Sequence, residues 1–157
     1  MEREPKKLYT LAIPHDSHRV LLGMKKIGFG EGRWNGFGGS VNLGETVVEA
    51  AVRELYEESG LTAKTLYRGG VLTFDFEDSL KVLEVHLFHV GSFRGTPIET
   101  DEMRPQWFSN NKIPYDQMWP DDQHWLPNFL QERIQIGNFH FIDQNRIRKY
   151  LLRSISS

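Results

Sequence analysis

The segment GSVNLGETVVEAAVRELYEESGL (residues 39–61) constrains the fold most, because it encodes a helix with two chemically opposite faces. Thr46 followed by Glu49 is a capping-box pattern, and Gly60 is the residue type that commonly ends a helix. The sequence therefore predicts a helix from Thr46 to Ser59. One face of this helix is apolar and is expected to pack on a sheet; it carries Val48, Ala51, Val52 and Leu55.

The other face of the predicted helix carries Glu54, Glu57 and Glu58, which are neighbours at spacings of three and four residues. Three crowded carboxylates repel one another, and the adjacent Arg53 can pair with Glu57 but cannot neutralise all three. A divalent cation can, and oxygen ligands are those that Mg²⁺ and Mn²⁺ prefer. The alternative is a solvated acidic face, which is the common explanation of a charge run.

The spacing of the fixed residues favours the metal site. The full pattern consists of Gly39, Glu45, Arg53-Glu54-Leu55, Glu57-Glu58 and Gly60-Leu61, and it resembles the Nudix box of the Nudix hydrolase family without a departure. From average composition, such a match arises by chance at roughly one start position in 10⁸ to 10⁹. The resemblance implies an α+β protein with the Nudix fold, an α/β/α sandwich with a central mixed β-sheet.

The family resemblance also implies roles for individual residues. Nudix enzymes cleave a nucleoside diphosphate linked to another group by attack of water on phosphorus, with Mg²⁺ as cofactor and Mn²⁺ as a substitute. The implied catalytic residues are Arg53, Glu54, Glu57 and Glu58. Arg53 is expected to hold Glu57 in place. The implied metal ligands are the Gly38 carbonyl, the three glutamates and Glu102 in the segment ETDEMRP.

Three further segments narrow the resemblance. LLGMKKIGFGEGRWNGFGG (21–39), DEMRPQWF (101–108) and MWPDD (118–122) are similar to the eukaryotic MutT-homologue enzymes. Those enzymes hydrolyse oxidised purine nucleoside triphosphates, such as 8-oxo-dGTP and 2-hydroxy-dATP, to the monophosphate and pyrophosphate. They thereby keep mutagenic nucleotides out of DNA. Two alternatives stay open: another nucleotide substrate (an alkylated purine nucleotide, ADP-ribose or a dinucleoside polyphosphate), and a Nudix module that binds without catalysis.

The narrower resemblance implies a substrate-binding set: Thr10, Lys25, Asn35, Phe37, Gly38, Gly39, Ser40, Phe74, Trp119, Pro120, Asp121 and Asp122. Trp119 can cover the face of a purine, as aromatic side chains do in base pockets. An ionised aspartate only accepts hydrogen bonds, whereas a protonated one also donates. We therefore hypothesise that Asp121 and Asp122 accommodate oxidised guanine and oxidised adenine by exchanging protonation states.

Simpler explanations exist for parts of this set. Asp121 and Asp122 could be acids favoured in the first turn of a helix, and Phe37 and Phe74 could be core aromatics. Two positions depart from the MutT-homologue pattern. Ser40 stands where those enzymes have lysine, and Leu83 stands where they have methionine, so preference among oxidised bases stays open.

The rest of the chain predicts more strands than helices, which indicates an α+β or layered α-β-α fold with a mixed sheet. A glycine-rich loop is predicted at 28–39, and it lacks the lysine of a phosphate-binding P-loop. A second helix is predicted at 120–133, in which Pro127 would disturb the helix and Trp125 is expected in the core. The predicted strands are 8–13, 18–24, 65–76, 82–90, 104–108, 139–142 and 147–152.

Length and composition predict one domain over residues 1–157, with a flexible segment at 1–7. The net charge of −2 argues against a nucleic-acid polymer as partner, and a small nucleotide is expected instead. The N-terminal residues show no signal peptide, and no apolar run is long enough to span a bilayer. The chain has no cysteine among its 157 residues, which suits a reducing compartment. We therefore expect a cytoplasmic monomer without a membrane partner. Mitochondrial or nuclear fractions are the alternatives.

The six histidines show no metal-ligand spacing in the sequence and are expected to be ordinary surface or core residues. On a strand, His86 and His89 would point to opposite faces. The basic residues near the C-terminus are expected at a solvated strand edge, where charge discourages aggregation; they are Arg146, Arg148, Lys149 and Arg153.

Overall fold

The computed structural model describes residues 5–156. In chain order the elements are β1 (Lys7–Pro14), β2 (Arg19–Lys25), β3 (Trp34–Asn35), α1 (Val47–Ser59), β4 (Thr62–Phe76), β5 (Val82–Arg94), β6 (Met103–Ser109), a 3₁₀ turn (Tyr115–Gln117), α2 (Asp122–Leu130), β7 (Arg133–Asp143) and β8 (Arg146–Ser156). Of the predicted flexible segment 1–7, residues 1–4 lie outside the described residues, and Lys7 already begins β1. Neither described helix is long and apolar enough to cross a membrane.

The strands form a mixed sheet and a smaller antiparallel sheet. The mixed sheet has the order β1-β5-β4-β7-β8, in which β1 pairs with β5 and β4 pairs with β7 in parallel. The smaller sheet has the order β3-β2-β6. The predicted α+β class with a mixed sheet is confirmed. The smaller sheet was not predicted, because β3 has only two residues and lies within the glycine-rich segment.

Core residues divide between the two faces of the mixed sheet, because successive side chains of a strand point in opposite directions. In β1, Ala12 packs in the cluster that contains Leu55 of α1, whereas Ile13 packs in the cluster that contains Phe129 of α2. Leu87 and Phe88 of β5 divide in the same way. The two helices therefore cover opposite faces, which gives the α/β/α sandwich predicted from the sequence.

Helix α1 begins and ends as predicted. The Thr46 side chain accepts from the Glu49 amide, Glu49 accepts from the Thr46 amide, and Gly60 ends the helix at φ 80°. The buried face is rotated from the prediction, because Val48 is 42% exposed whereas Ala50 is fully buried. This rotation carries Glu58 inward beside Leu55, so one of the three glutamates is buried.

The C-terminal third of the chain differs most from the prediction. Helix α2 is shorter than 120–133, and it accommodates Pro127 within its nine residues. Strands β7 and β8 are each 11 residues long, so the predicted hairpin at 139–142 and 147–152 extends at both ends. Glu132 separates α2 from β7 and adopts φ 65°. Because α2 ends at Leu130, Arg133 belongs to β7 rather than to the helix.

Candidate active site

A cavity of about 580 Å³ brings together residues from β1, the glycine-rich segment, α1, the mixed sheet and the start of α2. Ten of the predicted site residues line it: Thr10, Lys25, Asn35, Gly38, Gly39, Glu58, Phe74, Trp119, Asp121 and Asp122. This volume is in the range of a small-molecule site. The cavity therefore joins the predicted metal site to the predicted base-binding residues, which are distant in sequence.

Several predicted site residues do not line the cavity. Phe37 is fully buried in the core cluster beneath α1, so its assignment to the base pocket is corrected to a core position. Ser40 and Pro120 also lie outside the lining. The Ser40 carbonyl instead accepts a 3.1 Å hydrogen bond from Arg53 Nη2. Arg53, Glu54, Glu57 and Glu102 flank the cavity lining rather than forming part of it.

Glu58 is the most buried carboxylate of α1, with 3% of its surface exposed. The Gly38 amide donates a 2.8 Å hydrogen bond to Glu58 Oε1. Burial raises the pKa of Glu58 to about 8, while the Gly38 amide and the charge of Lys25 act in the opposite direction. Because these two groups offset only part of the cost of burying a charge, the Glu58 carboxylate is suited to binding a cation.

Arg53 organises the carboxylates around it. It donates to Glu45 at 2.7 and 3.0 Å, to Glu54 at 2.9 Å and to Glu57 at 3.2 Å. The predicted contact with Glu57 is thus present but is the longest of the set. Glu45 was assigned no role from the sequence, although it is a fixed residue of the Nudix box. It anchors the guanidinium that positions Glu54.

The donor set fits a hard divalent cation. Burial raises the pKa of Glu54, and the nearby charges of Glu57 and Glu102 raise it further despite Arg53. Glu102 reaches this group from outside α1 and lies 3.8 Å from Lys25 Nζ. Four carboxylates with excess negative charge supply the oxygen ligands that such an ion requires. Glu54, Glu57, Glu58 and Glu102, with the Gly38 carbonyl, are the residues that could hold it.

Glycine is required at positions 38 and 39, because atoms of other residues lie too close to leave room for a side chain. A Cβ atom at Gly38 would lie 1.7 Å from the Thr10 carbonyl oxygen, and one at Gly39 would lie 2.5 Å from Glu54 Oε1. The Thr10 amide also donates to the Gly39 carbonyl at 2.9 Å. Any side chain here would separate β1 from the glycine-rich segment or displace Glu54.

Asp121 and Asp122 are buried, with 4% and 3% of their surfaces exposed. Asp121 Oδ2 accepts a 2.8 Å hydrogen bond from Trp125 Nε1. Asp122 Oδ2 has no hydrogen-bond partner within residues 5–156, and neither has the buried Thr10 hydroxyl, which also lines the cavity. Asp121 makes no side-chain cap bond to α2. A solvated first turn therefore does not explain the pair, whereas unpartnered polar atoms beside a cavity indicate a ligand.

Burial raises the pKa of both aspartates. It raises the pKa of Asp121 to about 6, opposed by the hydrogen bond from Trp125. It raises the pKa of Asp122 well above the ordinary value, with the charge of Asp121 as a second cause. Two carboxyl groups this close together in a buried site titrate as a pair, so the raised pKa values belong to Asp121 and Asp122 jointly.

Trp119 is held by residues that the sequence analysis missed. Its ring lies 4.9 Å from the Phe29 ring, and the Arg33 guanidinium lies 4.4 Å from its centroid. Arg33 is fixed in turn by the Gln144 carbonyl at 2.8 Å and by Asn145. Phe29 and Gln144 line the cavity. Clusters of this kind depend on loop contacts and leave no periodic pattern in the sequence.

Trp125 has two roles where one was expected. It is 1% exposed and packs edge-on against Phe129, as a core residue does. It also lines the cavity and donates the hydrogen bond that Asp121 accepts. A buried indole N–H requires such a partner.

The α/β/α sandwich, the glycine-rich segment and the acidic helix define the class of protein, one with a Nudix-type fold and a carboxylate-lined cavity. A family model described as NUDIX domain matches residues 5–129, and the chain belongs to this family. The MutT protein from Bacillus halodurans has a similar structure, with a TM-score of 0.80 and 22% identity over 93% of this chain and 97% of that one.

Two relatives are more similar in sequence. A Mus musculus protein named oxidized purine nucleoside triphosphate hydrolase is 50% identical over 151 residues, which cover 96% of this chain and 97% of the relative. A Danio rerio protein of the same name is 49% identical over 149 residues, which cover 95% of this chain and 96% of the relative.

Proposed function

We propose that this protein hydrolyses oxidised purine nucleoside triphosphates to the monophosphate and pyrophosphate, and so removes them from the nucleotide pool. The observation that carries the proposal is the buried Asp121–Asp122 pair in the same cavity as Glu58 and Gly38. The two relatives of about half-identical sequence, named for this activity, support it.

The base-binding side of the proposal rests on complementary hydrogen bonding. Asp122 in its protonated form can donate to an acceptor on the purine edge, while Asp121 in its ionised form accepts. Asn35 lines the same cavity and offers both a donor and an acceptor. Trp119 supplies an aromatic face for the base. Oxidation changes which edge atoms of a purine donate and accept, so a pair that can exchange protons suits more than one oxidised base.

The phosphate side rests on the acidic helix. We propose Mg²⁺ as the cofactor, with Mn²⁺ as a substitute, bound by Glu54, Glu57, Glu58, Glu102 and the Gly38 carbonyl. When bound, the ion offsets charge on the pyrophosphate oxygens. Arg53 fixes the direction of Glu54 and Glu57, and Lys25 places a positive charge in the cavity beside Glu102. One of the glutamates Glu54, Glu57 and Glu58 can accept a proton from water.

A nucleotide panel tests the proposal. Rates with Mg²⁺ are compared for 8-oxo-dGTP, 2-hydroxy-dATP, dGTP and dATP, with products identified by chromatography. We expect the oxidised nucleotides to be preferred and the products to be the monophosphate and pyrophosphate. Equal or slower hydrolysis of the oxidised nucleotides would contradict it. The same panel includes an alkylated purine nucleotide, ADP-ribose and a dinucleoside polyphosphate, which represent the other substrates open to this fold.

Aspartate variants test the base-binding hypothesis separately. Asp121→Asn and Asp122→Asn each fix one side chain as neutral, so they should change the ranking of oxidised guanine and oxidised adenine nucleotides differently. If both variants keep the wild-type ranking, the proton-exchange hypothesis is wrong even when the activity itself is confirmed. The monomeric state and the cytoplasmic location remain predictions, which light scattering and cell fractionation test.

A further inference from the structure

A second group of potential metal ligands lies outside the nucleotide cavity. His15 follows β1, His89 is in β5 and Glu132 lies between α2 and β7. One ligand atom from each residue lies within 4.8 Å of the other two. His15 Nε2 is 2.7 Å from His89 Nδ1, and His89 Nδ1 is 3.7 Å from a Glu132 oxygen. From the sequence, these histidines are expected to be ordinary surface or core residues, and their spacing in the chain gives no indication of this arrangement.

The two imidazoles are neutral, which is the protonation state required for binding a metal ion. Both are buried, with His15 at 8% and His89 at 2% exposure. Burial lowers the pKa of His15 and lowers that of His89 to about 4, so both rings are neutral at pH 7. His15 Nε2 and His89 Nδ1 share one hydrogen bond, so one of these two nitrogens carries a hydrogen. Binding a metal ion requires that hydrogen to move to the other nitrogen of its ring, and in His15 that nitrogen is Nδ1, which has no hydrogen-bond partner in the described part of the chain. Neutral imidazole is the form that coordinates a metal ion.

Neighbouring residues fix the direction of each ligand. The His89 ring is stacked between Phe129, at 3.9 Å between centroids, and Tyr67, at 4.7 Å. The Tyr67 hydroxyl donates to both Glu132 oxygens, at 2.9 and 3.0 Å. Among the residues described, Glu132 is the one non-glycine residue with positive φ. A residue held in this rare conformation by its surroundings often serves a function.

We propose that His15, His89 and Glu132 bind one Zn²⁺ ion, with a water as the fourth ligand. Two nitrogens and one carboxylate oxygen suit zinc better than Mg²⁺, which prefers oxygen ligands throughout. Zinc–nitrogen bonds of about 2.0 Å place tetrahedral ligand atoms about 3.3 Å apart. The two imidazoles therefore separate slightly on binding, while the Glu132 oxygen moves closer. Glu132 is half exposed, which gives the ion and the water a route from solvent.

The ion would join three parts of the fold that meet near the end of α2. It ties the turn after β1 and strand β5 to the residue that links α2 to β7. Phe129 stacks on His89 and also packs against Trp125, whose indole hydrogen-bonds Asp121. His15, His89 and Glu132 do not line the nucleotide cavity. The site is therefore separate from the nucleotide cavity and from the glutamates of α1.

Zinc titration in excess Mg²⁺ tests the proposal, and this design rests on the proposed function, in which the carboxylates of α1 bind Mg²⁺. Calorimetry should show one zinc equivalent for the wild-type protein, and Co²⁺ should give the intense visible absorption of a tetrahedral site. His15→Asn and Glu132→Gln should lose this equivalent. Tyr67→Phe should weaken binding about tenfold, because it removes the group that orients Glu132. His18→Asn, an exposed histidine near His15, is the matched control and should bind zinc as the wild type does.

The fold of each variant is checked by circular dichroism and by nucleotide hydrolysis in Mg²⁺, which is independent of the zinc site. If a variant does not fold, NMR of the imidazole groups of the wild-type protein tests whether zinc binds to histidines. Zinc should then shift the signals of two of the six histidines. Absence of a zinc equivalent in the wild type, or equal zinc binding by His15→Asn and Glu132→Gln, would overturn the proposal.

Discussion

The Gly38 amide donates a 2.8 Å hydrogen bond to the carboxylate of Glu58 across 20 positions of the chain. This bond joins the glycine-rich segment to the acidic helix and holds Glu58 at the cavity wall. Gly38 can approach so closely only because it has no side chain, since a Cβ there would collide with the Thr10 carbonyl. The geometry of the proposed metal site therefore depends on β1 as much as on α1.

Glu58→Gln should abolish most turnover while preserving the fold. The amide oxygen of glutamine can still accept from Gly38, but it cannot supply a negative charge to a metal ion or take a proton. We expect a fall in kcat of about 10²- to 10⁴-fold, the range that loss of a general base produces. The check is steady-state hydrolysis with Mg²⁺, together with thermal unfolding. Wild-type turnover by this variant would show that Glu58 takes no part in the reaction.

Glu49→Gln is the matched control for that experiment, because it lies on the same helix and outside the cavity. Glutamine at this position keeps the capping box with Thr46. Turnover and thermal unfolding should both stay close to the wild type. An inactive wild-type protein would instead favour a Nudix module that binds nucleotides without cleaving them.

Arg53→Lys should lower the rate of hydrolysis and raise the Mg²⁺ concentration that the reaction requires. The guanidinium contacts Glu45, Glu54 and Glu57 simultaneously, whereas an ammonium group cannot span three carboxylates. Loss of a group that orients metal ligands costs about 10- to 100-fold in affinity or activity. The measurement is hydrolysis against Mg²⁺ concentration, with the exposed Arg94→Lys as control. An unchanged Mg²⁺ requirement would show that the glutamates keep their positions unaided.

Trp119→Ala should raise KM with a smaller effect on kcat, because the ring is proposed to stack on the base rather than to act on phosphorus. Stacking contributes about 1–3 kcal/mol per base, which corresponds to a rise of about 5- to 150-fold. Trp119→Phe should lose less. Trp107→Phe serves as control, since Trp107 packs against Arg19 and Phe93 away from the cavity. Equal loss in both phenylalanine variants would contradict a specific stacking role.

The Asp121–Asp122 pair should make stability fall as pH rises. A carboxyl group whose pKa is raised in the folded state stabilises the fold fully below its unfolded pKa, and this stability is lost as pH rises through the folded pKa. For Asp121 the folded pKa is about 6, against 3.8 as the ordinary value. The unfolding free energy of the wild type relative to Asp121→Asn should therefore decrease between about pH 4 and about pH 6. Urea unfolding across this range measures it.

Asp16→Asn is the control of opposite sign. Hydrogen bonds from the His18 and Arg19 amides lower the pKa of Asp16. A lowered carboxyl pKa gives stability that is present above the unfolded pKa and is lost as pH falls through the folded pKa. The wild type should therefore lose its advantage over Asp16→Asn in acid. A difference between wild type and Asp121→Asn that does not vary with pH would show that Asp121 is not a buried, titrating group.

Local pattern in the sequence predicted the acidic helix well. The capping box, the ending glycine and the spacing of Glu54, Glu57 and Glu58 all act within a few residues of one another. Such short-range features depend little on how the rest of the chain folds. The helix face was harder to predict, because the packing partners in β1 and β6 decide which residues are buried. Val48 was therefore expected inside but is exposed, and Glu58 was expected outside but is buried.

The residue types and the family resemblance identified many of the residues that line the cavity. They did not show which aromatic side chains line the cavity and which lie in the core behind it. Phe37 and Trp125 illustrate this difference. Phe37 follows the pocket residue Asn35 in the chain yet points into the core, whereas Trp125 belongs to the core and also supports Asp121. Which side of a boundary a ring occupies depends on the strands that pack around it.

The sequence by itself determined the class of chemistry, because the glutamates, arginine and glycines that carry it lie within one short, regularly spaced segment. Only the tertiary structure decided what surrounds that segment. His15 and His89 are 74 residues apart and meet because β1 and β5 pair in parallel, which places His15 just beyond the paired residues Ile13 and His89. Burial of Asp121 and Asp122 likewise depends on strands distant in the chain. Long-range pairing brings such groups together, and no local periodicity records it.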